Sequence, residues 1–314
     1  MSRYMITGGA GFIGSHLSHR LVESGEEVVV YDNLFSGSMS NLEDILDDIT
    51  FQEGDIRDSD SLSDSMKGCD YVVHLAAVAS VPLSLERPMF THEVNITGTL
   101  NVLLAAKDTG IKRVVFASSS AVYGNQSPQS PKTETTPTKP LSPYGSQKLA
   151  GECYMRNFYD SYSLETVSLR FFNIFGPRQD PNSEYSAVIS RFIKRLVSGL
   201  KPIIYGDGKQ SRDFTYVDDV IDAIILALSV ESVKGDVFNI GRGKAISLLD
   251  LIGALETITE KNIEVEFDPP RKGDIRHSWS DITLARQRLG YTPGVELTDG
   301  LLRTFSYFTQ VEKR

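Results

Sequence analysis

One tyrosine and one lysine in this chain are spaced so that they could act together in proton transfer. Tyr144 and Lys148 lie four residues apart, and Ser142 and Pro143 just before them are typical of a helix start. Residues four apart on a helix share one face, so the ammonium group would lie near the phenol. A positive charge there favours the phenolate and would lower the tyrosine pKa from about 10 toward neutrality. The pair would then form a general base for a hydroxyl proton.

The alternative is a half-exposed tyrosine beside a solvated lysine, and for an isolated pair it would be the better interpretation. The stretch ASSSAVYG (117–124) favours catalysis, because it closes an apolar run with the hydroxyls of Ser118, Ser119 and Ser120. Hydroxyls at the end of a strand could hydrogen-bond the same substrate oxygen as the tyrosine. We therefore expect a proton-transfer site there.

Three glycines near the beginning of the chain are spaced as in loops that bind a dinucleotide. Gly8, Gly11 and Gly14 follow a short apolar run and precede a helical pattern. In such a loop the first glycine permits a tight turn, and the second lets the backbone approach a pyrophosphate. The third allows close helix packing, and the helix N-terminus presents free N–H groups to the anion. A strand-to-helix turn without a ligand is the alternative, since a glycine triplet by itself is weak evidence.

The end of the next apolar run supports dinucleotide binding and indicates which dinucleotide is bound. Asp32 follows Gly14 by 18 residues, which is close to the spacing of a ribose-binding acid. Its carboxylate would accept hydrogen bonds from the ribose of NAD and repel the 2′-phosphate of NADP, by roughly 1–4 kcal/mol per charge pair at about 4 Å. No arginine or lysine occurs in the NLFSGS (33–38) that follows. We therefore predict NAD as the cofactor.

A parallel sheet would bring these distant groups together. Short apolar runs at 4–8, 27–33, 49–56, 69–77, 113–120 and 165–173 alternate with helical patterns, notably at 92–109 and 143–162. This alternation predicts an α/β fold with a doubly wound parallel sheet. Such sheets bind ligands beyond the carboxyl ends of their strands. Several runs end in small or polar residues, at 7–8, 32–33, 55–56, 76–77, 118–120 and 173.

Composition narrows the class of protein. The 314 residues are 40% hydrophobic and 23% charged, as in ordinary globular proteins. A net charge of −9 argues against a nucleic-acid surface. The sequence has no 18-residue apolar run, no metal-binding cluster and only two cysteines, Cys69 and Cys153, which favour reduced packing residues. We expect a cytoplasmic protein without a membrane span or a metal.

The second half of the chain is less regular and richer in proline, glycine and charge. We predict an NAD-binding domain over 1–174, to which the chain returns around 213–242. Residues 175–314 are predicted to form mainly a smaller, mixed α/β substrate domain. The segment SPQSPKTETTPTKPLSP (127–143) is too polar and too rich in proline for a strand or helix, so it predicts a surface loop.

A series of motifs makes the chain resemble a known family. TGGAGFIG, SSSAVYG, YGSQK, RFFNIFGPRQ and RDFTYVDD together resemble, in order, the extended short-chain dehydrogenase/reductase family, and most closely its UDP-hexose 4-epimerase branch. The resemblance covers nearly the whole chain. It implies a Rossmann sheet and a tightly held NAD. It also implies a reaction in which the sugar C4 hydride moves to NAD and then returns to the other face of a 4-keto sugar.

The resemblance also implies roles for individual residues. Ser119, Tyr144 and Lys148 would be catalytic, with Ser118 and Ser120 left open as alternatives to Ser119. Besides Tyr144 and Lys148, the predicted cofactor-binding residues are Gly8, Gly11, Phe12, Ile13, Gly14, Asp32, Asn33, Ser36, Gly37, Asp55, Ile56, Leu75, Ala76, Ala77, Asn95 and Phe171. Besides Ser119 and Tyr144, the predicted substrate-binding residues are Val81, Asn173, Val188, Ile189, Tyr205, Arg212, Arg271, Asp274 and Ser278.

Two parts of this substrate set carry particular expectations. Arg212 and Arg271 match the family's phosphate-binding arginines, and Asp274 would orient Arg271 or touch the uridine. Some relatives have a bulky tyrosine at the position of Ser278, which closes the pocket against an acetamido group. The small Ser278 therefore predicts acceptance of UDP-GlcNAc and UDP-GalNAc as well as UDP-Glc and UDP-Gal, and QDPNSEYSAVI (179–189) resembles the subgroup that accepts acetamido sugars.

Related activities and a partner follow from the same resemblance. The alternatives are a UDP-uronate 4-epimerase, a UDP-glucuronate decarboxylase, a 4,6-dehydratase or a non-enzymatic NAD-sensing module. Similar dehydratases carry Asp-Glu where this chain has Ser120 and Ala121, the decarboxylases usually have Glu at the second position, and sensing modules typically lose the Tyr/Lys pair. The helices near 92–109 and 143–162 correspond to the family's four-helix dimer interface, so a homodimer is expected.

Overall fold

A seven-stranded parallel sheet forms the centre of the described structure, which is a computed structural model covering residues 1–126, 130–180, 188–270 and 275–312. Its strands are β1 (Arg3–Thr7), β2 (Glu27–Asp32), β3 (Ile49–Glu53), β4 (Tyr71–His74), β5 (Arg113–Ser119), β6 (Glu165–Phe171) and β11 (Asp236–Ile240). They lie in the order β3–β2–β1–β4–β5–β6–β11. The predicted doubly wound parallel α/β fold is therefore confirmed.

Both faces of the sheet are buried under helices. One face packs against α2 (Ser59–Met66), α5 (Thr99–Thr109) and α6 (Pro143–Tyr162), and the other against α1 (Phe12–Glu23) and α8 (Val217–Ser229). Successive residues of β1 show why: Met5 packs in the first layer and Ile6 in the second. Side chains alternate along a strand, so a strand covered on both faces is apolar throughout.

Short helices connect β4 to α5. They are α3 (Val81–Glu86) and α4 (Pro88–His92), and a π-helical stretch from Glu93 to Gly98 joins α4 to α5. The predicted helical pattern 92–109 is thus helical throughout but changes its winding. The segment 81–92 lies beside the carboxyl ends of the strands.

The remaining elements build a smaller, mixed region. They are β7 (Ile174–Phe175), α7 (Val188–Val197), β8 (Ile203–Tyr205), β9 (Ser211–Arg212), β10 (Thr215–Tyr216), β12 (Ile246–Ser247), α9 (Leu248–Thr259), β13 (Glu266–Asp268), β14 (His277–Ser278), α10 (Thr283–Arg288) and α11 (Leu297–Val311). Small sheets join β12, β9 and β14, and also β8 with β13. Between these elements the chain returns to the large sheet. There α8 packs on one face of the sheet, and β11 pairs with β6.

The proline-rich segment before α6 differs in part from its prediction as a surface loop. Residues 130–142 contain neither helix nor strand, but Lys132 is only 2% exposed. Its backbone N–H donates to Trp279 O at 2.9 Å and its carbonyl accepts from Asp281 N at 2.8 Å. The Lys132 side chain donates to the carbonyl of Gln126. These bonds explain how a polar sequence comes to be buried: its polar groups have partners inside the protein.

No helix within the described ranges is both long and apolar enough to span a membrane.

Candidate active site

A cavity of about 680 Å³ lies at the carboxyl ends of the central strands. Its walls include the predicted strand ends Gly8, Asp32, Asn33, Asp55, Ile56, Ala76, Ala77, Ser118 to Ser120 and Asn173. Phe12, Ile13, Ser36, Leu75 and Phe171 also line it, as do Tyr144 and Lys148. Most of the predicted cofactor residues are therefore brought together around one space.

The glycine loop leaves no room for side chains at two positions. Gly8 has φ +74°, and a Cβ added there would lie 2.7 Å from the backbone N of Ala76. A Cβ on Gly14 would lie 2.2 Å from the carbonyl oxygen of Gly8. Because the backbone itself forms this part of the wall, a pyrophosphate can approach the free N–H groups at the start of α1. The cradle thus fits a dinucleotide.

Asp32 is the acid that ends β2, and the loop around it holds it firmly. It is 7% exposed and accepts hydrogen bonds from Ala10 N at 3.0 Å and Leu34 N at 2.8 Å. Burial raises the pKa of its carboxyl group, and these two N–H groups oppose that effect. Each carboxylate oxygen can accept more than one hydrogen bond, so capacity remains for ribose hydroxyls.

A second acid in the cavity wall is committed to other groups. Arg57 donates two hydrogen bonds to Asp55, at 2.8 Å and 2.9 Å, and lowers the pKa of that carboxyl to about 2. Asn33 donates to the same carboxylate at 2.9 Å. Arg57 lines the cavity but lies outside the stretch 33–38, which contains no arginine or lysine. Its charge is matched by Asp55, so it does not alter the preference for NAD over NADP.

Among the described residues, three predicted site residues lie outside the cavity walls. Gly37 packs against Ala10 behind the glycine loop. Asn95 is 2% exposed and holds the loop after β4, accepting from Val78 N at 2.8 Å and donating to Gln147 Oε1 at 2.8 Å. Ile189 is 1% exposed in the core. These three residues pack against protein atoms rather than lining a cavity, so their predicted ligand contacts stay predictions.

The start of α6 positions the tyrosine and lysine as the spacing predicted. Ser142 caps the helix by accepting from Gly145 N at 3.2 Å. The backbone N–H of Tyr144, which has no partner within the helix, donates to the buried Ser84 of α3 at 3.1 Å. Lys148 Nζ lies 6.0 Å from the centre of the Tyr144 ring and donates to Ala117 O at 2.8 Å.

The predicted lowering of the tyrosine pKa does not occur in the cofactor-free protein. Burial raises the pKa of Tyr144, and hydrogen bonding with Ser119 only partly opposes this. Burial also lowers the pKa of Lys148 to about 7, against the opposing charge of Glu152. For both groups the largest cause is burial, because the charged form is poorly solvated inside the protein. The lysine is therefore poised to change charge near neutral pH.

Replacing Lys148 with methionine should reveal this shift as a stability effect. The unfolded chain binds a proton at this position up to pH 10.5, whereas the folded chain loses it above about pH 7. In that window the native protein gains stability as pH rises. We expect cofactor-free Lys148→Met to be the more stable protein at pH 7, by a margin that shrinks about 1.4 kcal/mol per pH unit toward pH 10. Urea unfolding across this range measures it, and a margin independent of pH would contradict the shift.

The three neighbouring serines have different surroundings. Ser118 is 3% exposed and donates its hydroxyl to Glu152, which also forms a 2.7 Å ion pair with the buried Arg170. Ser119 instead accepts from Ala121 N at 3.2 Å and interacts with the Tyr144 hydroxyl. Ser120 lines the cavity without such a contact to Tyr144 in the described structure. The geometry favours Ser119 as the partner of the tyrosine.

A second cavity of about 520 Å³ adjoins the first, and the two share Ser120 and Asn173. The predicted substrate residues Val81, Val188, Tyr205, Arg212 and Ser278 line it. Arg271 and Asp274 lie outside the described residues.

This wall also contains Arg191, Arg195 and Gln210, which were not predicted as site residues. A signal for the arginines was present, because they are four residues apart on a helix whose Ile189, Phe192 and Ile193 are buried.

One short segment contributes to both cavities. Val81, Pro82 and Leu85 of α3 line the second cavity, whereas Arg87 and Phe90 line the first. Arg87 lies over the Phe90 ring, 4.7 Å from its centre. Segment 81–92 therefore forms part of the wall of both cavities.

Comparison with known proteins shows the family to which the chain belongs. Residues 4–241 match the model of the NAD dependent epimerase/dehydratase family. UDP-glucose 4-epimerase of Mycolicibacterium smegmatis is 39% identical over 311 residues, 98% of each chain. A putative UDP-glucose 4-epimerase of Methanocaldococcus jannaschii is 38% identical over 305 residues, 96% of this chain and 97% of that protein. UDP-N-acetyl-alpha-D-glucosaminuronate decarboxylase of Bacillus cytotoxicus is 33% identical over 320 residues, 99% of this chain and 98% of that protein.

Solved structures show the same breadth. UDP-N-acetylglucosamine 4-epimerase from Methanobrevibacter ruminantium M1, in complex with UDP-N-acetylmuramic acid, is 40% identical with a TM-score of 0.94 and 99% coverage of both chains. UDP-glucuronic acid 4-epimerase from Bacillus cereus, in complex with UDP-glucuronic acid and NAD, is 34% identical with a TM-score of 0.90, covering 98% of this chain and 99% of that one. The likeness spans several sugars and two kinds of reaction.

Proposed function

Because this chain belongs to the NAD dependent epimerase/dehydratase family, we propose that it interconverts UDP-hexoses that differ in configuration at C4. Membership of this family confirms NAD as the predicted cofactor. It also confirms the family resemblance that the sequence motifs indicated. The observation that carries the proposed reaction is the placement of Tyr144 and Lys148 in the wall of the glycine-loop cavity. A second cavity, free of acids among its described residues, meets the first beside them.

The residues divide the proposed reaction among themselves. Tyr144 takes the proton from the sugar 4-hydroxyl and later returns it, and Ser119 holds the same oxygen by hydrogen bonding. NAD, held by the glycine loop and Asp32, supplies the acceptance and return of the C4 hydride. The neighbouring loop 76–79, anchored by Asn95, and the buried face of α6 would shield this part of the site from water.

Lys148 has an electrostatic task in this scheme. Burial raises the pKa of Tyr144, so the phenolate needs a positive charge beside it. The ammonium form of Lys148 supplies that charge, and its pKa of about 7 lets it do so near neutral pH. Glu152, one helical turn further on, favours the ammonium form.

The wall of the second cavity argues for epimerisation over water loss. Ser120 and Ala121 line it at the positions where similar dehydratases carry an acid pair. Neither side chain can act as a carboxylic acid or carboxylate, so this wall lacks the groups for elimination. A decarboxylase remains the second candidate because one relative has that activity.

A panel of UDP-sugars incubated with the purified protein, without added NAD, tests the proposal. We expect a C4 epimer of unchanged mass to form from UDP-glucose or UDP-galactose, detected by chromatography and mass spectrometry. Loss of 18 Da or 44 Da would instead identify a dehydratase or a decarboxylase. No conversion of any sugar, with NAD bound, would favour a sensing module.

Ser278 is proposed to admit acetamido sugars. Its half-buried side chain lies on β14 in the wall of the second cavity. In Ser278→Tyr we expect kcat/KM for UDP-GlcNAc to fall at least about 10-fold, since one steric exclusion of 1–3 kcal/mol has this size, while UDP-glucose is affected little. Ser278→Ala is the matched control and should keep both activities. Equal loss for both sugars would show that the tyrosine disturbs the site rather than selecting the substrate.

A homodimer through the two predicted helices is part of the proposal. Leu104 on α5 is 40% exposed and Tyr162 at the end of α6 is 55% exposed. Exposed apolar side chains on adjacent helices favour association with a second copy. Light scattering of the purified protein should give twice the 34.7 kDa chain mass.

A further inference from the structure

The second cavity has an unusual charge for this protein. The chain carries a net charge of −9, yet the described wall of the cavity contains no aspartate or glutamate. It contains three arginines, Arg191 and Arg195 on α7 and Arg212 on β9. A concave surface lined by one sign of charge concentrates ions of the opposite sign. The cavity is therefore suited to an anionic ligand.

Two of these arginines are already held by protein groups. Arg195 donates to Lys201 O at 2.5 Å and lies 3.5 Å from a carboxylate oxygen of Glu266. Arg212 donates to Ser211 O at 2.9 Å, and its backbone is fixed between β12 and β14. Their positions are set before any ligand arrives.

Arg191 is held differently. Its guanidinium carbon lies 5.8 Å from the centre of the Tyr205 ring, and its side chain is half-buried. Within the described ranges no carboxylate or carbonyl accepts a hydrogen bond from it. Its N–H donors are therefore not committed to a described protein acceptor, although the group lies in the wall of the cavity. Contact with an aromatic ring constrains the group while leaving N–H donors for an anion.

We propose that Arg191 binds the diphosphate of the UDP-sugar, adding a ligand from α7 to Arg212 from β9. The planar guanidinium can donate two parallel hydrogen bonds to one phosphate. The helix fixes its base, because Phe192 and Ile193 beside it are buried in the core. This inference rests on the proposed function only in that the substrate is a nucleoside diphosphate sugar.

Calorimetric titration of the NAD-bound protein with uridine, UMP and UDP tests the assignment. In Arg191→Ala we expect UDP affinity to fall about 10- to 100-fold, the size of a hydrogen bond to a charged group, with uridine affinity within about 2-fold of native. Arg191→Lys keeps the charge but loses the bidentate donor. Its UDP affinity should therefore lie between those of the native protein and Arg191→Ala. Lys194→Ala, on the same helix but outside the cavity wall, is the control and should match the native protein. Far-UV spectra and unfolding temperatures establish that each variant is folded.

The possible results separate the inference from the proposed function. Equal losses for uridine and UDP would mean that Arg191 supports the base through Tyr205, and would overturn the phosphate assignment. An unchanged UDP affinity in Arg191→Ala would overturn it as well. A native protein that binds no UDP would overturn the proposed function and the inference together. If Arg191→Ala itself fails to fold, the ratio of UDP to uridine affinity in Arg191→Lys decides, since only a phosphate ligand lowers that ratio.

Discussion

Tyr144→Phe should lose about 10³-fold in the turnover of UDP-glucose, in the range typical for removal of a general acid–base group. The substitution deletes only the hydroxyl, which is the group proposed to exchange a proton with the sugar. The aromatic ring remains, and so does the hydrogen bond from the backbone N–H of residue 144 to Ser84. The helix cap formed by Ser142 is also unchanged. The variant should therefore fold, retain NAD and bind UDP with nearly native affinity. Coupled turnover assays, together with NAD released on denaturation, measure both parts.

Tyr159→Phe provides the matched control for this variant. Tyr159 belongs to the same helix but lines neither cavity. It should keep native turnover. If Tyr144→Phe also kept native turnover, the proposed proton transfer would be wrong. If it lost NAD along with activity, the hydroxyl would have a binding role instead.

Gly14→Ala should abolish NAD retention and destabilise the protein. The added Cβ would lie 2.2 Å from Gly8 O and 2.6 Å from Gly9 Cα. Both are backbone atoms of the loop proposed to hold the pyrophosphate, so the loop and α1 must separate. Overpacking in a well-packed site costs about 1–3 kcal/mol, and backbone neighbours place this case at the upper end. NAD content after purification and the unfolding temperature report the two effects.

Gly253→Ala gives the same chemical change without the clash. Gly253 lies inside α9, and apart from its chain neighbours and the backbone of its own helix, no described atom lies within 4 Å of an added Cβ. The variant should be more stable than native by about 0.5–1 kcal/mol, because alanine loses less backbone freedom on folding than glycine. Full NAD retention in Gly14→Ala would contradict the role assigned to the glycine loop.

Local sequence signals predict many of the residues that line the first cavity. The strand ends, the glycine loop and the α6 cap each depend on residues close together in the chain, and Ser142 and Gly8 do what their types suggest. Parallel strands then place these ends at one edge of the sheet without further information. Periodicity and turn chemistry are therefore enough for the cofactor cavity.

Features that depend on distant contacts are not predictable in this way. Asn95 looks like a ligand residue, but Val78 and Gln147 take up its hydrogen bonds. The Ser118 hydroxyl donates to Glu152, which lies 34 residues away in the sequence. The raised pKa of Tyr144 reflects burial by the assembled protein, which no spacing of tyrosine and lysine reveals. Arg191 becomes significant only when β8 brings Tyr205 beside it.

Segment 81–92 has a consequence for anyone who wishes to alter the choice of sugar. Val81 and Leu85 line the second cavity, and Phe90 lines the first. Ser84, between Val81 and Leu85, accepts a hydrogen bond from the backbone N–H of Tyr144. A substitution that widens the second cavity here is expected also to disturb Ser84, which holds the Tyr144 backbone, and the part of the segment that lines the first cavity. Redesign of specificity is therefore safer from the β14 side, where Ser278 lines only the second cavity.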